Sequence, residues 1–336
     1  MFSICRNVSG KEMTEGVFYC SVKRKLQDSN FIMQKIALDS LAFFRGCVTP
    51  GCRMSEALLN FYNDCEARVV RAKAASGVQI AFVTDAVEME YSVAFGAPAR
   101  RVYTSDITIN GETTTVEGEG PHKFTMAPGE KNIVIQLPHL VVIEDISLAV
   151  NEGSVVKEAP RRAKKLLFCG DSILQGMTCT APGKAVGALL AEKLGMELHN
   201  TSVGGAEMRF EAVEATLALG GDIIVVGFGI NDTFHQVPYE LFRERTAKVF
   251  QLLAGFAGKA FIVVPIPNMK VDNALYESYC NIIREEHKKN PAAVLVEGSS
   301  FYPARDELFV DGTHPNDEGM KIYADNLEKI IAPALN

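Results

Sequence analysis

The sequence predicts an α/β protein: a parallel sheet covered by helices on both faces in the C-terminal half, preceded by an antiparallel β-sandwich. Three observations predict it. From Leu166 onward, short buried apolar runs alternate with amphipathic stretches of helical length, the pattern that builds a parallel sheet. From about residue 15 to 155, short alternating apolar runs recur at 8–15 residue spacing with Pro and Gly between them, which suits a sandwich. Between the halves lies Lys157–Lys165, charged, interrupted by Pro160 and without apolar period. At 336 residues the chain is long for one core, so two domains are expected. The divisions read as 1–156 for an accessory sandwich, 157–165 for a linker and 166–336 for the second domain.

In the first half, strand character falls on Val78–Val83, Val87–Val93, Val102–Ile109, Asn132–Leu137 and Leu140–Leu148. Asn110-Gly111 between Ile109 and Thr113 is a two-residue hairpin signal, because both turn positions need positive φ. One helix is expected from Glu66 to Ala75. In the second half, strands are expected at Leu166–Cys169, Glu197–Ser202, Ile223–Phe228, Ala260–Val264 and Ala293–Val296. Helices are expected at Gly183–Leu194, Arg209–Leu219, Pro238–Ala254, Asp272–Lys289 and Asp317–Ile331. There is no internal repeat and no low-complexity tract.

A hydrophobic content of 47% with 22% charged residues fits an ordinary globular protein. A net charge of −7 argues against nucleic acid or anionic lipid as the main partner. Trp is absent, which removes the best stacking residue for sugars. The N-terminus carries no basic region followed by an apolar stretch, and no run approaches the roughly 18 apolar residues of a membrane span; a cytoplasmic location is expected. The eight cysteines (5, 20, 47, 52, 65, 169, 179 and 280) show no paired spacing and read as free thiols. Two of the three Asn-x-Ser/Thr sequons (Asn7, Asn200 and Asn231) fall in the segments discussed next and read as coincidences. No His/Cys/Asp/Glu cluster has metal-ligand spacing and no glycine-rich phosphate loop follows a strand, so neither metal nor cofactor is expected. The oligomeric state is left open.

Four segments carry chemistry: Gly170-Asp171-Ser172, Asn200 to Gly205, Gly229-Ile230-Asn231-Asp232, and Asp311-Gly312-Thr313-His314. Each follows a predicted strand or precedes the last helix, and ligands of parallel sheets bind at the carboxyl ends of the strands. Together they supply what acyl transfer from an ester needs: a hydroxyl, donors for a developing oxyanion, and an imidazole held by a carboxylate. Ser172 alone reads first as a helix cap; the other three segments reverse that. Asp311 lies three residues before His314, close enough to hold one ring nitrogen, and Pro315 keeps that loop out of helix. A buried Asn231 amide at a strand end must find partners, and an oxyanion is one. Gly205 offers a backbone N–H that no Cβ shields. His235, four residues past Asn231, is a pocket candidate with no evident carboxylate to orient it. Asp171 and Asp232 read as loop braces, Asp171 also as a pocket neighbour. His122, His139, His199 and His287 read as surface or packing residues, and Cys169 as inert.

The four segments resemble the sequence blocks of the SGNH (GDSL-type) esterase superfamily, in order, over about residues 166–334. The resemblance implies a three-layer α/β/α domain of flavodoxin-like type. It implies Ser172 as nucleophile, His314 as base and Asp311 as its orienter, with Ser172 N–H, Gly205 N–H and the Asn231 side chain as oxyanion hole; the family's block-two glycine falls on Gly205, or on Gly204 if the register is one off. Block one ends in Ile173 where the family commonly has Leu. Phe82-Val-Thr-Asp85 and Ile107–Gly111 are similar to the jelly-roll sandwich preceding this domain in some bacterial carbohydrate esterases. That resemblance implies an esterase acting on short acyl groups, acetyl above all, of an acetylated sugar or oligosaccharide. An acyltransferase is the neighbouring reading, since the same acyl-enzyme can be passed to an alcohol. A non-catalytic carbohydrate-binding protein is the third, and it requires a lost catalytic residue, whereas none is missing.

Overall fold

A computed structural model describes residues 31–335; the N-terminal Cys5, Cys20 and the Asn7 sequon lie outside them. The first half contains β1 (Met33–Lys35), β2 (Phe44–Arg45), α1 (Glu56–Phe61), α2 (Glu66–Lys73), β3 (Gln79–Thr84), β4 (Glu88–Pro98), β5 (Thr104–Ile109), β6 (Glu112–Glu117), β7 (His122–Thr125), β8 (Lys131–Gln136), β9 (Val141–Asn151) and β10 (Val156–Glu158). Two antiparallel sheets result, one in the order β1-β9-β4-β7 and one in the order β10-β3-β8-β5-β6 with β2 on β3. Their facing side chains (Ile80, Phe82, Tyr91, Val93, Ile133, Ile135, Leu148) close the sandwich core. The β5–β6 hairpin turns on Asn110 at φ 49° and Gly111 at φ 89°, the two left-handed positions expected of Asn-Gly.

The second half runs β11 (Lys165–Gly170), α3 (Ser172–Gln175), α4 (Val186–Leu194), β12 (Glu197–Asn200), α5 (Phe210–Leu217), β13 (Ile223–Gly227), α6 (Ile230–Phe234), α7 (Tyr239–Ala254), β14 (Lys259–Val263), α8 (Asn273–Lys289), β15 (Val294–Val296), α9 (Gly298–Phe301) and α10 (Asp317–Ile331). The sheet is wholly parallel, ordered β12-β11-β13-β14-β15. Alternate residues of each strand enter opposite cores, as the two-residue period demands. Leu167, Cys169, Ile224, Val226 and Ile262 face α5, α7 and α8, while Leu166, Phe168, Ile223, Val225 and Phe261 face α4 and α10. Strand order reverses between β11 and β13, which opens a crevice at their carboxyl ends.

The fold departs from the sequence expectation where the two halves meet. The stretch 157–165 is not all linker: β10 reaches Glu158 and pairs with β3, and β11 begins at Lys165. Exposed charged side chains suit an edge strand, whose hold on its neighbour comes from the backbone. In addition, Met54, Leu58, Tyr62 and Ala72 of the first half pack into the α5–α8 side of the parallel sheet. Residues 32–336 form one compact unit.

Candidate active site

β11 ends at Gly170, where a Cβ would collide with the Gly227 carbonyl of β13 and with Leu174 Cδ1 at 2.7 Å. Glycine therefore lets the chain leave the sheet directly into α3. Asp171 caps that helix, its Oδ1 accepting from Ile173 N–H at 2.9 Å. Because Asp171 caps, Ser172 at the first helical position keeps its hydroxyl for another partner. That partner is His314: Oγ lies 2.8 Å from Nε2. Nδ1 of the same ring lies 2.9 Å from Asp311 Oδ2 and 3.1 Å from Oδ1. A proton on Nδ1, donated to this carboxylate, leaves Nε2 as the acceptor of the Ser172 hydroxyl.

The loop carrying the pair is pinned from several sides. Thr313 N–H and His314 N–H both donate to Asp311 Oδ1, at 3.0 and 2.9 Å. Val310 N–H donates to the His314 carbonyl at 2.9 Å, and Met269 N–H to that of Gly312 at 2.8 Å. Partial burial works to raise the Asp311 pKa, but the His314 N–H, its ring and the Thr313 N–H outweigh it and hold the carboxyl below its ordinary range. Asn316 then caps α10 through Gly319 N–H.

The donor side is assembled from the loop after β12 and the helix after β13. Val203 N–H donates to the Gly170 carbonyl at 2.9 Å, bringing this loop against the Ser172 turn. Gly205 has φ +78°, a conformation that favours glycine. Among the described residues, the N–H groups of Ser172 and Gly205 donate to no protein acceptor. Asn231 places one N–H of its amide on the Ala206 carbonyl at 2.9 Å, leaving the second N–H available. The neighbouring contacts run in step: Asp232 Oδ2 accepts from Met208 N–H at 2.9 Å, and His235 Nδ1 lies 2.9 Å from Glu207 Oε1.

That last contact corrects the sequence reading of His235. A carboxylate does orient the ring, and Arg245 in turn holds Glu207 at 3.0 Å. Glu207 is 28 positions away in sequence, so spacing gave no sign of it. Burial raises the Asp171 carboxyl to about 7 against the pull of Ile173 N–H, with Asp232 adding to the rise. Burial likewise raises Asp232 to about 7, opposed by Met208 N–H. His139 and His199 are buried and pushed down to about 4 by that burial; they pack, as expected. The Cys169 thiol is pushed up to about 11 by burial and is inert for the same reason. The six cysteines among the described residues are free. No cluster of their His, Cys, Asp and Glu side chains is arranged to hold a metal, and none of their helices is long and apolar enough to cross a membrane.

Other residues that sequence reasoning missed come mainly from the first half. Arg53 is 1% exposed and donates to four carbonyls: Ala74 at 2.7 Å, Asn200 at 2.6 Å, Ser202 at 3.0 Å and Arg71 at 2.8 Å. Burial pushes its guanidinium down to about 9. Arg71 Nη1 donates to the Gly204 carbonyl at 2.8 Å. Gln175, from α3, accepts from Gly204 N–H at 2.6 Å and donates to the Arg71 carbonyl at 2.8 Å. The alternate carbonyls 200, 202 and 204 are thus gripped by two arginines.

Comparison with known proteins agrees with this architecture. Residues 168–322 match the model of the GDSL-like Lipase/Acylhydrolase family. No curated protein sequence matches the chain. Among solved structures, the chain is similar to the salicylyl-acyltransferase SsfX3 from a tetracycline biosynthetic pathway (18% identity, TM-score 0.76, covering 90% of this chain and 97% of that one). A putative GDSL-like lipase from Bacteroides ovatus is equally similar (18% identity, TM-score 0.76, 90% and 98% covered). A family two carbohydrate esterase from Cellvibrio japonicus follows at 14% identity and TM-score 0.64, with 90% and 98% covered. At these identities the likeness establishes the fold, an N-terminal domain included. Over residues 168–322, just under half of its length, the chain is thus similar to the GDSL-like Lipase/Acylhydrolase family.

Proposed function

We propose that the protein is a serine esterase that cleaves short acyl esters, acetyl above all, from a carbohydrate through an acyl-enzyme on Ser172. The observation that carries this reading is the unbroken relay Ser172–His314–Asp311, with contacts of 2.8 and 2.9 Å. His314 Nε2 takes the Ser172 proton as Oγ attacks the ester carbonyl. The oxyanion that forms is met by Ser172 N–H, Gly205 N–H and the second Asn231 N–H. Collapse expels the alcohol, which leaves with the proton from His314. Water, deprotonated by the same nitrogen, then attacks the acyl-enzyme and releases the acid. Asp311, ionised and held at Nδ1, steadies the imidazolium at each transfer.

Support for a short acyl group comes from the chain around the nucleophile: one residue separates β11 from α3 and two separate β13 from α6, so neither connection forms a lid that would bury a long acyl chain. Support for a sugar alcohol is the likeness to carbohydrate esterases; one from Clostridium thermocellum is described in complex with cellohexaose (14% identity, TM-score 0.59). The test is a panel of esters varying in acyl length and alcohol, run on wild type and Ser172→Ala. The proposal expects acetyl sugars to lead and the variant to be inactive; preference for long acyl chains or an active variant refutes it. Transfer to an alcohol acceptor is the second reading, favoured by the acyltransferase among the fold neighbours. Adding sugar acceptors and analysing the products decides between free acid and transferred acyl group.

A further inference from the structure

We propose that Arg71 forms a cationic subsite beside the oxyanion loop, selecting esters that carry a carboxylate; the inference rests on the esterase reading of the site. Arg71 lies directly over the two glycines. A Cβ on Gly205 would come within 2.8 Å of its Nη1, and one on Gly204 within 3.3 Å of its Cδ. Its backbone is fixed to the catalytic domain, because the Arg71 carbonyl accepts from Gln175 Nε2 and from Arg53 Nη2, each at 2.8 Å. One guanidinium N–H goes to Gly204 O. The remaining N–H groups have no acceptor among the described residues.

What sets Arg71 apart is a partly buried charge without a carboxylate. Arg68 pairs with Asp64, Arg209 with Glu211, Arg245 with Glu207 and Arg284 with Glu297. Arg71 has no carboxylate within 4.0 Å among the described residues, although the chain carries 41 acidic residues against 34 basic; Arg100 and Arg101 also lack one, but their side chains are exposed, whereas Arg71 is partly buried against Gly204 and Gly205. Arg53 is also without a carboxylate, but its donors are spent on four carbonyls. Arg71 is half-buried, and its charge is disfavoured first by that burial and then by Arg100. A substrate carboxylate relieves both. A planar guanidinium fork suits that group, and partial desolvation makes the pairing stronger than at an open surface.

The test compares p-acetoxybenzoate with p-acetoxybenzamide, near-isosteric acetates that differ in charge. Wild type is expected to favour the carboxylate in kcat/KM, and added salt to erode that preference. Arg71→Gln is expected to lower turnover of both substrates, and that of the carboxylate by about tenfold to a hundredfold more, the size of one charge-assisted hydrogen bond. Arg71→Lys should restore part of the preference. Benzoate should inhibit wild-type hydrolysis of p-nitrophenyl acetate at concentrations where benzamide does not, a readout that needs no variant. Equal turnover of the two acetates by wild type, or equal losses in Arg71→Gln, overturns the subsite. Ser172→Ala reports separately on the esterase reading, because loss of neutral-ester turnover there is independent of the charge preference.

Discussion

Replacing Asp232 by Asn isolates the cost of a carboxyl buried behind the oxyanion residue. The side chain is fully buried; Oδ2 accepts from Met208 N–H at 2.9 Å, Oδ1 has no partner, and Arg245 stands 4.0 Å off. Burial lifts its pKa from 3.8 to about 7. Between about pH 4 and 7 the folded state therefore binds the proton and the unfolded chain does not, so stability falls as pH rises through this window. Each pH unit costs up to about 1.4 kcal/mol, which brings the loss to about 4 kcal/mol by pH 8. Asn keeps the acceptor for Met208 and removes the titration, at a pH-independent cost of about 1–3 kcal/mol for an amide N–H₂ set where Oδ1 had no partner. Urea unfolding of both proteins from pH 5 to 8, followed by far-UV circular dichroism because the chain has no Trp, gives the difference directly. The variant should gain on wild type steadily up to pH 7 and then level off. A difference that stays flat with pH refutes the reasoning.

Other perturbations reach the site from different directions. Asn231→Ala removes an oxyanion donor and the tether to Ala206, so kcat for p-nitrophenyl acetate should fall by about 10²–10³ with the circular dichroism spectrum retained. Asp311→Asn leaves the loop geometry but loses the ionic hold on Nδ1; kcat should drop by about 10⁴, read by the same assay. Arg53→Met takes the guanidinium away from the buried carbonyls of Ala74, Asn200 and Ser202, while that of Arg71 keeps Gln175, and removing a buried charge returns only part of that loss. Unfolding free energy should fall by about 3–5 kcal/mol, and kcat with it, because the 200–205 loop loses its grip.

The parallel sheet was legible because its strands, β12 (Glu197–Asn200) excepted, are apolar runs and its helices are capped or periodic. Ile223–Gly227, for example, sits within one residue of the expected strand. Ser172, His314 and Asp311 were legible because each stands in a short local pattern at a strand end or before a helix. What escaped has no local pattern. Strand β7 is short and polar, and α1 announces itself only by Ser55 capping Leu58. Arg53 and Arg71 act through backbone carbonyls up to 149 positions away, and any residue type can supply a carbonyl. His235 was singled out, but its Glu207 partner arrives from a loop that the fold alone brings near.

The central claim is that Ser172 carries the acyl group. Treatment with an organophosphate ester such as paraoxon, followed by peptide mass spectrometry, reads this directly: a single phosphoryl adduct on the Ser172 peptide should form in step with loss of esterase activity. The adduct should be absent from Ser172→Ala and slow to form in His314→Ala. An adduct on a different residue, or full esterase activity in a protein already modified at Ser172, contradicts the account.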